Sequence, residues 1–375
     1  MSLTSMLSQR TGTQIAASPY VEERWANRVM NDKTGQNGPQ NMMEMARRLD
    51  CELLYSAEEG INFVSSLPDL FKQCWEVFVT PMKDGLDSVR SILKTPYGEL
   101  TNVMINDGVA EDPSASLMES LLKEERDYEA LNWYLDQVGE HLDVLIKLKS
   151  QYVAAHRRKY GAGRIVLSDG PFSCALRGWV RRDDLILQES MWPDTFLRTV
   201  LKLHKLEQTL MIAALESGAN MIRFCVEGRE RYTREMFERD VLPMLHEDVA
   251  LVHQHGAFSY IHTCGHMRDQ LNWGYLNQLK PHLVESFSEL PEGDVEDLKR
   301  ARDMVDPAIC TRGNVSLTLL RLGTPAEVER ATRKTIEAVR GFRHIVSGTD
   351  AVFAGTPLEN VKAMVAAVKT FGGKS

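Results

Sequence analysis

The stretch Phe258-Ser259-Tyr260-Ile261-His262, closed by Thr263-Cys264-Gly265, sets a short apolar run against an immediate polar stop and a glycine. Such a run reads as a buried strand whose carboxyl end opens into a loop, and the amphipathic stretch 267–279 after it reads as a helix. The same unit recurs on both sides. Strand-like runs at 164–168, 221–225, 283–287, 308–312 and 344–347 alternate with helical stretches near 193–217, 233–255, 295–305, 325–340 and 357–371. Two of those helices are entered through Thr324-Pro325 and Thr356-Pro357, a start signal because proline is tolerated in a first helical turn. Six β/α units, with at least two more strand-like runs upstream, predict an α/β protein built as a closed (β/α)8 TIM barrel. No glycine-rich dinucleotide fingerprint follows any strand, so an open Rossmann sheet has little support.

Upstream of the repeats the texture differs. Residues 1–50 hold helical patterns around a polar run at 31–41 and are expected to form an N-terminal helical segment, leaving 51–375 for the barrel. Leu53-Leu54-Tyr55 and Val77-Phe78-Val79 are strand-like, and Thr95-Pro96-Tyr97-Gly98 is a turn leading into a strand-like run at 100–105. These predict a small β-hairpin excursion, followed by a long helical stretch at about 116–160.

Composition narrows the function classes. The 375 residues are 43% hydrophobic and 26% charged, enough to bury a large core. A net charge of −8 argues against nucleic acid as a partner, since phosphate binding needs a clustered excess of Lys and Arg. No run approaches the roughly 20 apolar residues that cross a bilayer, and the start lacks the apolar core of a signal peptide. A cytoplasmic protein is expected, with its six scattered cysteines reduced.

In a barrel the chemistry sits where strands end and βα loops begin. His262 and Cys264, two residues apart on an extended segment, point to the same side and can share one soft cation, for which zinc is the best match. The bland alternative is a strand-capping histidine and a small buried thiol. Asp350, Cys310 and Cys225 are the candidates for a third ligand. Asp350 also follows Gly348 at a strand end, where a carboxylate has a hydrogen-bonding, ligand or acid–base role. Glu227 is the other candidate acid or base, against a plain ion pair with Arg229 or Arg231. Arg312, Asn314 and Trp179 are the candidate substrate contacts, with Arg177 and Arg182 as further wall residues.

His262-Thr263-Cys264-Gly265 resembles the first two zinc ligands of the methylcobalamin:coenzyme M methyltransferases and of the cobalamin-independent methionine synthases. Around it, Thr95-Pro96-Tyr97-Gly98-Glu99-Leu100 is similar to the Thr-Pro-x-Gly-x-Leu hairpin of the uroporphyrinogen decarboxylase superfamily. Leu290-Pro291-Glu292-Gly293-Asp294-Val295, Arg312-Gly313-Asn314-Val315, Leu322-Gly323-Thr324-Pro325 and the closing Gly355-Thr356-Pro357-Leu358-Glu359-Asn360 resemble further segments of that superfamily, in the right order over roughly 85–371. The resemblance implies a (β/α)8 barrel with its active site at the C-terminal face, and it is closest to the zinc- and corrinoid-linked methyltransferase branch.

Two departures bear on the reaction. The arginine-bearing Arg-Gln-x-Gly-Arg-Tyr segment of the true decarboxylases has no counterpart in residues 1–90. The last strand's turn here is Ser347-Gly348-Thr349-Asp350, where the decarboxylases carry a His and the coenzyme M methyltransferases a Cys ligand. Glu285 and Glu289 lie where the methionine synthases use a glutamate, but Ser288 falls at the usual acidic position. The resemblance therefore implies a methyltransferase moving a methyl group between a small O-, N- or S-methyl compound, or a thiol, and a corrinoid such as methylcobalamin. Zinc would activate the substrate. The chain lacks an Asp-x-His-x-x-Gly corrinoid motif, so the corrinoid would arrive on a separate protein; a homodimer is a further partner expectation. The competing readings are a metal-free decarboxylase or lyase acting on a small acidic or tetrapyrrole-like compound, and a non-catalytic barrel.

Overall fold

The structure, a computed structural model, describes residues 2–33, 37–57, 71, 73–83, 86–106, 115–171, 176, 178–228, 231–264, 266–353 and 355–373. Its strands are β1 (Ile15–Ala17), β2 (Tyr55–Ser56), β3 (Trp75–Pro81), β4 (Asp87–Thr95), β5 (Gly98–Asn106), β6 (Ala115–Glu119), β7 (Val166–Asp169), β8 (Met221–Glu227), β9 (Phe258–Cys264), β10 (Leu283–Glu285), β11 (Cys310–Val315) and β12 (His344–Gly348).

The chain forms two compact units. The first comprises residues 1–57, 151–173 and 214–375, and holds eight parallel strands in the order β1-β12-β11-β10-β9-β8-β7-β2. Sequence neighbours lie side by side throughout, with helices in the connections, and the two end strands are themselves consecutive members of the set. That is the circular order of a (β/α)8 barrel. Side chains on or beside every strand meet in one core: Ala16, Leu54, Leu167, Met221, Tyr260, Leu283, Cys310 and Ile345. The helix Leu3–Ser8 adds Leu3, Met6 and Leu7 to that core, an i, i+3, i+4 set that forms one helical face.

Residues 1–50 are therefore not a separate helical segment. Ile15–Ala17 pairs with His344–Val346 as a barrel strand, and a three-residue strand is too short to show any periodicity. The boundary expected at residue 50 falls elsewhere for the same reason. The hairpin excursion is larger than expected. β3-β4-β5-β6 form an antiparallel four-stranded sheet in the second unit, residues 58–150 and 174–213. Its last strand takes residues that the sequence assigns to a long helix; the helices there run Asp127–Glu140 and Leu142–Tyr160. Trp75, Leu93 and Leu100 make its buried row, and the Trp75 ring stands edge-on to Tyr134 at 5.7 Å.

The later β/α units agree with their sequence signals. The helix Pro325–Ala338 starts in a full capping box, with Glu327 N donating to Thr324 Oγ1 and Thr324 N to Glu327 Oε2. Thr324→Ala is expected to lower stability by about 1 kcal/mol, read as a small drop in the thermal midpoint without change of secondary structure. Among the described residues, no helix is long and apolar enough to cross a membrane.

Candidate active site

Four side chains stand in one register row across adjacent strands: Cys225 on β8, His262 on β9, Glu285 on β10 and Arg312 on β11. The row just below, two residues earlier on each strand, is Arg223, Tyr260, Leu283 and Cys310. Period-2 alternation turns both rows to the same side.

Glu285 is the junction of the upper row and is fully buried. Its Oε1 accepts from His262 Nδ1 at 2.7 Å and its Oε2 from Arg312 Nη1 at 2.7 Å. Arg312 also donates to Tyr260 Oη at 3.1 Å and, through Nη2, to the Ser18 carbonyl at 3.1 Å. Burial alone would push the Glu285 carboxyl up, but Arg312 and the His262 hydrogen bond hold it well below the usual range. Burial likewise pulls His262 down, and Asp350, Glu285 and Cys225 more than reverse it. The carboxylate fixes the ring by taking Nδ1, which turns Nε2 the other way. There it meets Asp350, whose Oδ2 lies 3.7 Å from His262 Nε2 and whose side chain is half exposed.

The turn bearing Asp350 is held at several points. Thr349 Oγ1 donates to Glu292 Oε2 at 3.0 Å, and the same carboxylate accepts from Ser316 Oγ and from the backbone of Leu317 and Thr318 at the start of the helix Leu317–Leu322. Tyr20 N donates to Ser347 Oγ, and Tyr20 O accepts from Val352 N. The Tyr20 ring stands edge-on to His262 at 6.4 Å and under the guanidinium of Arg312 at 5.0 Å. Its hydroxyl accepts from Arg223, which is paired with Asp169 at 2.8 Å. Gly313 adopts φ +133°, and a Cβ there would collide with the Ser286 carbonyl, so the β10–β11 approach beside Arg312 requires glycine.

The structure thus brings His262 and Asp350 together, with Arg312 joined to them through Glu285. Cys264 is the last residue of β9, opposite Glu227 in register; its side chain lies outside the described residues. Glu227 is buried and forms an ion pair with Arg231 at 3.5 Å, the structural role weighed for it, while Arg229 lies outside the described residues. Four other candidates have structural roles that the sequence did not show. Cys310 is not beside His262 but sits in the lower row within the apolar core, where burial pushes its thiol up to about 12. A thiolate ligand there would be strongly disfavoured. Arg312 is 1% exposed and occupied in holding Glu285, so it positions the site rather than reaching a substrate. Asn314 is equally committed, donating to the Phe287 carbonyl and accepting from Thr335 Oγ1. Trp179 belongs to the second unit, buried, its carbonyl accepting from Leu121 N; Arg182 begins the helix Arg182–Met191 there, and Arg177 lies outside the described residues.

Glu285, Tyr20, Arg223 and Asp169 are the residues that sequence reasoning passed over or left unassigned. Glu285 had a signal. It shares strand parity and row with His262 once the two strands are aligned, whereas Tyr20 follows a strand too short to be seen.

Imidazole nitrogen, carboxylate oxygen and the cysteines of β8 and β9 are a donor set that suits zinc. A metal-bound histidine usually donates from its other ring nitrogen to a carboxylate, as His262 Nδ1 does to Glu285. Among the described residues, no three metal-binding side chains are already gathered into one cluster.

A parallel eight-stranded barrel with a carboxylate-backed histidine at its strand ends defines the class of protein. Residues 185–371 match the family model of uroporphyrinogen decarboxylase (URO-D), the superfamily that the sequence motifs resemble. Its fold is similar over 98% of its length to 97% of a methyltransferase from Methanosarcina mazei, with TM-score 0.63 and 12% identity. It is similar over 96% of its length to 97% of a B12-independent methionine synthase from Shewanella sp. W3-18-1, solved in complex with selenomethionine, with TM-score 0.50 and 10% identity. No curated protein matches the chain.

Proposed function

We propose that the protein is a methyltransferase in which His262, Cys264 and Asp350 hold a zinc ion that activates a small methyl donor or a thiol acceptor, the other methyl carrier being a corrinoid on a separate protein. The observation that carries this reading is the buried Glu285–His262 pair, which presents Nε2 towards Asp350 at the carboxyl ends of the strands. Cys225, next to His262 in register, is the alternative sulfur donor. Zinc bound there would supply Lewis acidity, lowering the pKa of a thiol or polarising the heteroatom that carries the methyl group.

The chain's own residues do the rest. Glu285 keeps the imidazole in one tautomer and one orientation. Arg312 keeps Glu285 ionised, so that the pair retains its hydrogen-bond polarity. Glu292 and Tyr20 fix the turn of Asp350, which keeps its carboxylate beside Nε2 while half of it still faces solvent. The fold shared with the methyltransferase and the methionine synthase is consistent with this reading and does not select a substrate.

Metal content tests it. Wild-type protein prepared without chelator is expected to carry about one equivalent of zinc, and Cys264→Ser to lose it with the fold intact, because a site at the barrel mouth adds little to a core of this size. Asp350→Ala should produce a partial loss. Less than about a tenth of an equivalent after zinc supplementation would refute the one-metal site. The imidazolium of His262 between Glu285 and Asp350 would then be the charged centre of a metal-free lyase.

A further inference from the structure

The strand β3 is an edge of the four-stranded sheet, and every one of its residues after Trp75 is exposed. Val77, Phe78 and Val79 are 52%, 51% and 59% exposed. Because successive side chains alternate, three consecutive apolar residues place apolar surface on both faces of the same edge. An edge of this kind is a hazard unless something pairs with it, and among the described residues nothing does so on its outer side.

Hydrogen-bond parity shows what that outer side offers. The Cys74 carbonyl accepts from Lys94 N, and Met82 N donates to the Leu86 carbonyl, while Trp75 stands opposite Leu93 in register. Even-numbered residues therefore exchange their bonds with β4. The N–H and C=O groups of Val77 and Val79 face the open edge. An incoming antiparallel strand must bring its own outward-facing residues opposite these two.

The segment meets that condition with itself. With a two-fold axis at Phe78, Val77 of one copy stands opposite Val79 of the other as a hydrogen-bonded pair. Phe78 then stands opposite its own copy in the closer non-hydrogen-bonded position, where aromatic pairs contribute most. Glu76 falls opposite Thr80, so no charge meets its like, and Glu76 already has Lys94 as partner within its own sheet. Trp75 falls opposite Pro81, which has no N–H and ends the ladder.

We propose that β3 pairs antiparallel with β3 of a second copy of this chain about a two-fold axis at Phe78, joining two four-stranded sheets into one of eight strands. Such a contact is isologous and closes on itself, so it uses up both edges and stops at a dimer.

Sedimentation velocity at micromolar concentration reads the outcome. The wild type is expected at twice 42.4 kDa. Val79→Pro removes an outward N–H donor and no bond to β4, and should run as a monomer with an unchanged circular dichroism spectrum. Phe78→Lys places two like charges opposite each other and should do the same, which keeps the test decisive if the proline variant fails to fold. Under mild oxidation Phe78→Cys should give a disulfide-linked dimer above the wild-type background, whereas Glu76→Cys, whose copies lie off the axis, should not. A monomeric wild type, or a dimer that persists in both Val79→Pro and Phe78→Lys, overturns the proposal.

Discussion

Replacing Glu285 with Gln is expected to destabilise the protein by about 3–5 kcal/mol, the usual consequence of removing one partner of a buried ion pair. The magnitude follows from what is left behind. Arg312 would remain 1% exposed with Tyr260 Oη, the Ser18 carbonyl and at best a neutral amide oxygen as acceptors and no counter-charge, and the amide NH2 can no longer accept from the second of the two donors that Glu285 serves. The thermal or denaturant midpoint reads this arm directly, and it does not depend on any metal. A second readout depends on the proposed function: zinc affinity, measured by competition with a chelator, should fall about 10- to 100-fold as the imidazole loses its orienting carboxylate. A Glu285→Gln protein within about 1 kcal/mol of the wild type would mean that the guanidinium is compensated by other means. Loss of stability with unchanged zinc affinity would leave the ion pair as scaffold alone.

The pairing of His262 with Glu285 marks the limit of what the sequence discloses. His262 was visible because it ends a strand in a recognisable pattern, and the strand itself was visible because Phe258–Cys264 lies between amphipathic helices long enough to show their period. Six β/α units were legible in this way, with boundaries within a few residues of those observed. The sequence leaves Glu285 undecided beside Glu289 and Ser288, because its partner lies 23 residues away on the next strand and only the register brings the two side by side. The same holds for Cys310. Its strand was located, but whether a residue at the start of a strand faces the mouth or the apolar end depends on stagger, which no local pattern encodes.

Other failures have a different physical origin. The strand Ile15–Ala17 has three residues, and the strand Ala115–Glu119 stands beside a helical region whose period extends visually into it. Both are determined by tertiary pairing rather than by propensity. Their place at a strand end makes Asn314 and Arg312 candidate substrate contacts. The structure spends them on Phe287, Thr335 and Glu285 instead. Polar residues at the mouth of a barrel must first satisfy one another's buried groups, and only those left facing solvent, such as Asp350, remain available to a ligand.

Acid should weaken the fold in a pH window set by a second histidine, away from the site. His344 is fully buried on the strand face opposite Ile345. Its Nδ1 accepts from Thr311 Oγ1 at 2.8 Å and its Nε2 donates to the Gly313 carbonyl at 2.8 Å, a pattern that the neutral ring completes. Burial depresses it to about 4, only partly offset by the Gly313 hydrogen bond. The unfolded chain, with an ordinary histidine near 6.5, therefore binds the proton first. Its contribution is complete above about pH 6.5 and is lost as pH falls towards 4, amounting to about 3 kcal/mol over that interval. His262 has the opposite sign. Its folded value is raised, so its contribution changes only above the unfolded value and adds no slope in the acid window. His282, depressed to about 3 by burial and by Arg10, acts in the same direction as His344 and steepens the loss. His344→Gln is expected to be less stable than the wild type at pH 7 but to lose stability more slowly on acidification, by about one proton, or roughly 1.4 kcal/mol per pH unit between 6.5 and 4. Denaturant unfolding at a series of pH values measures that slope, and parallel curves for the two proteins would show that His344 is not the group being titrated.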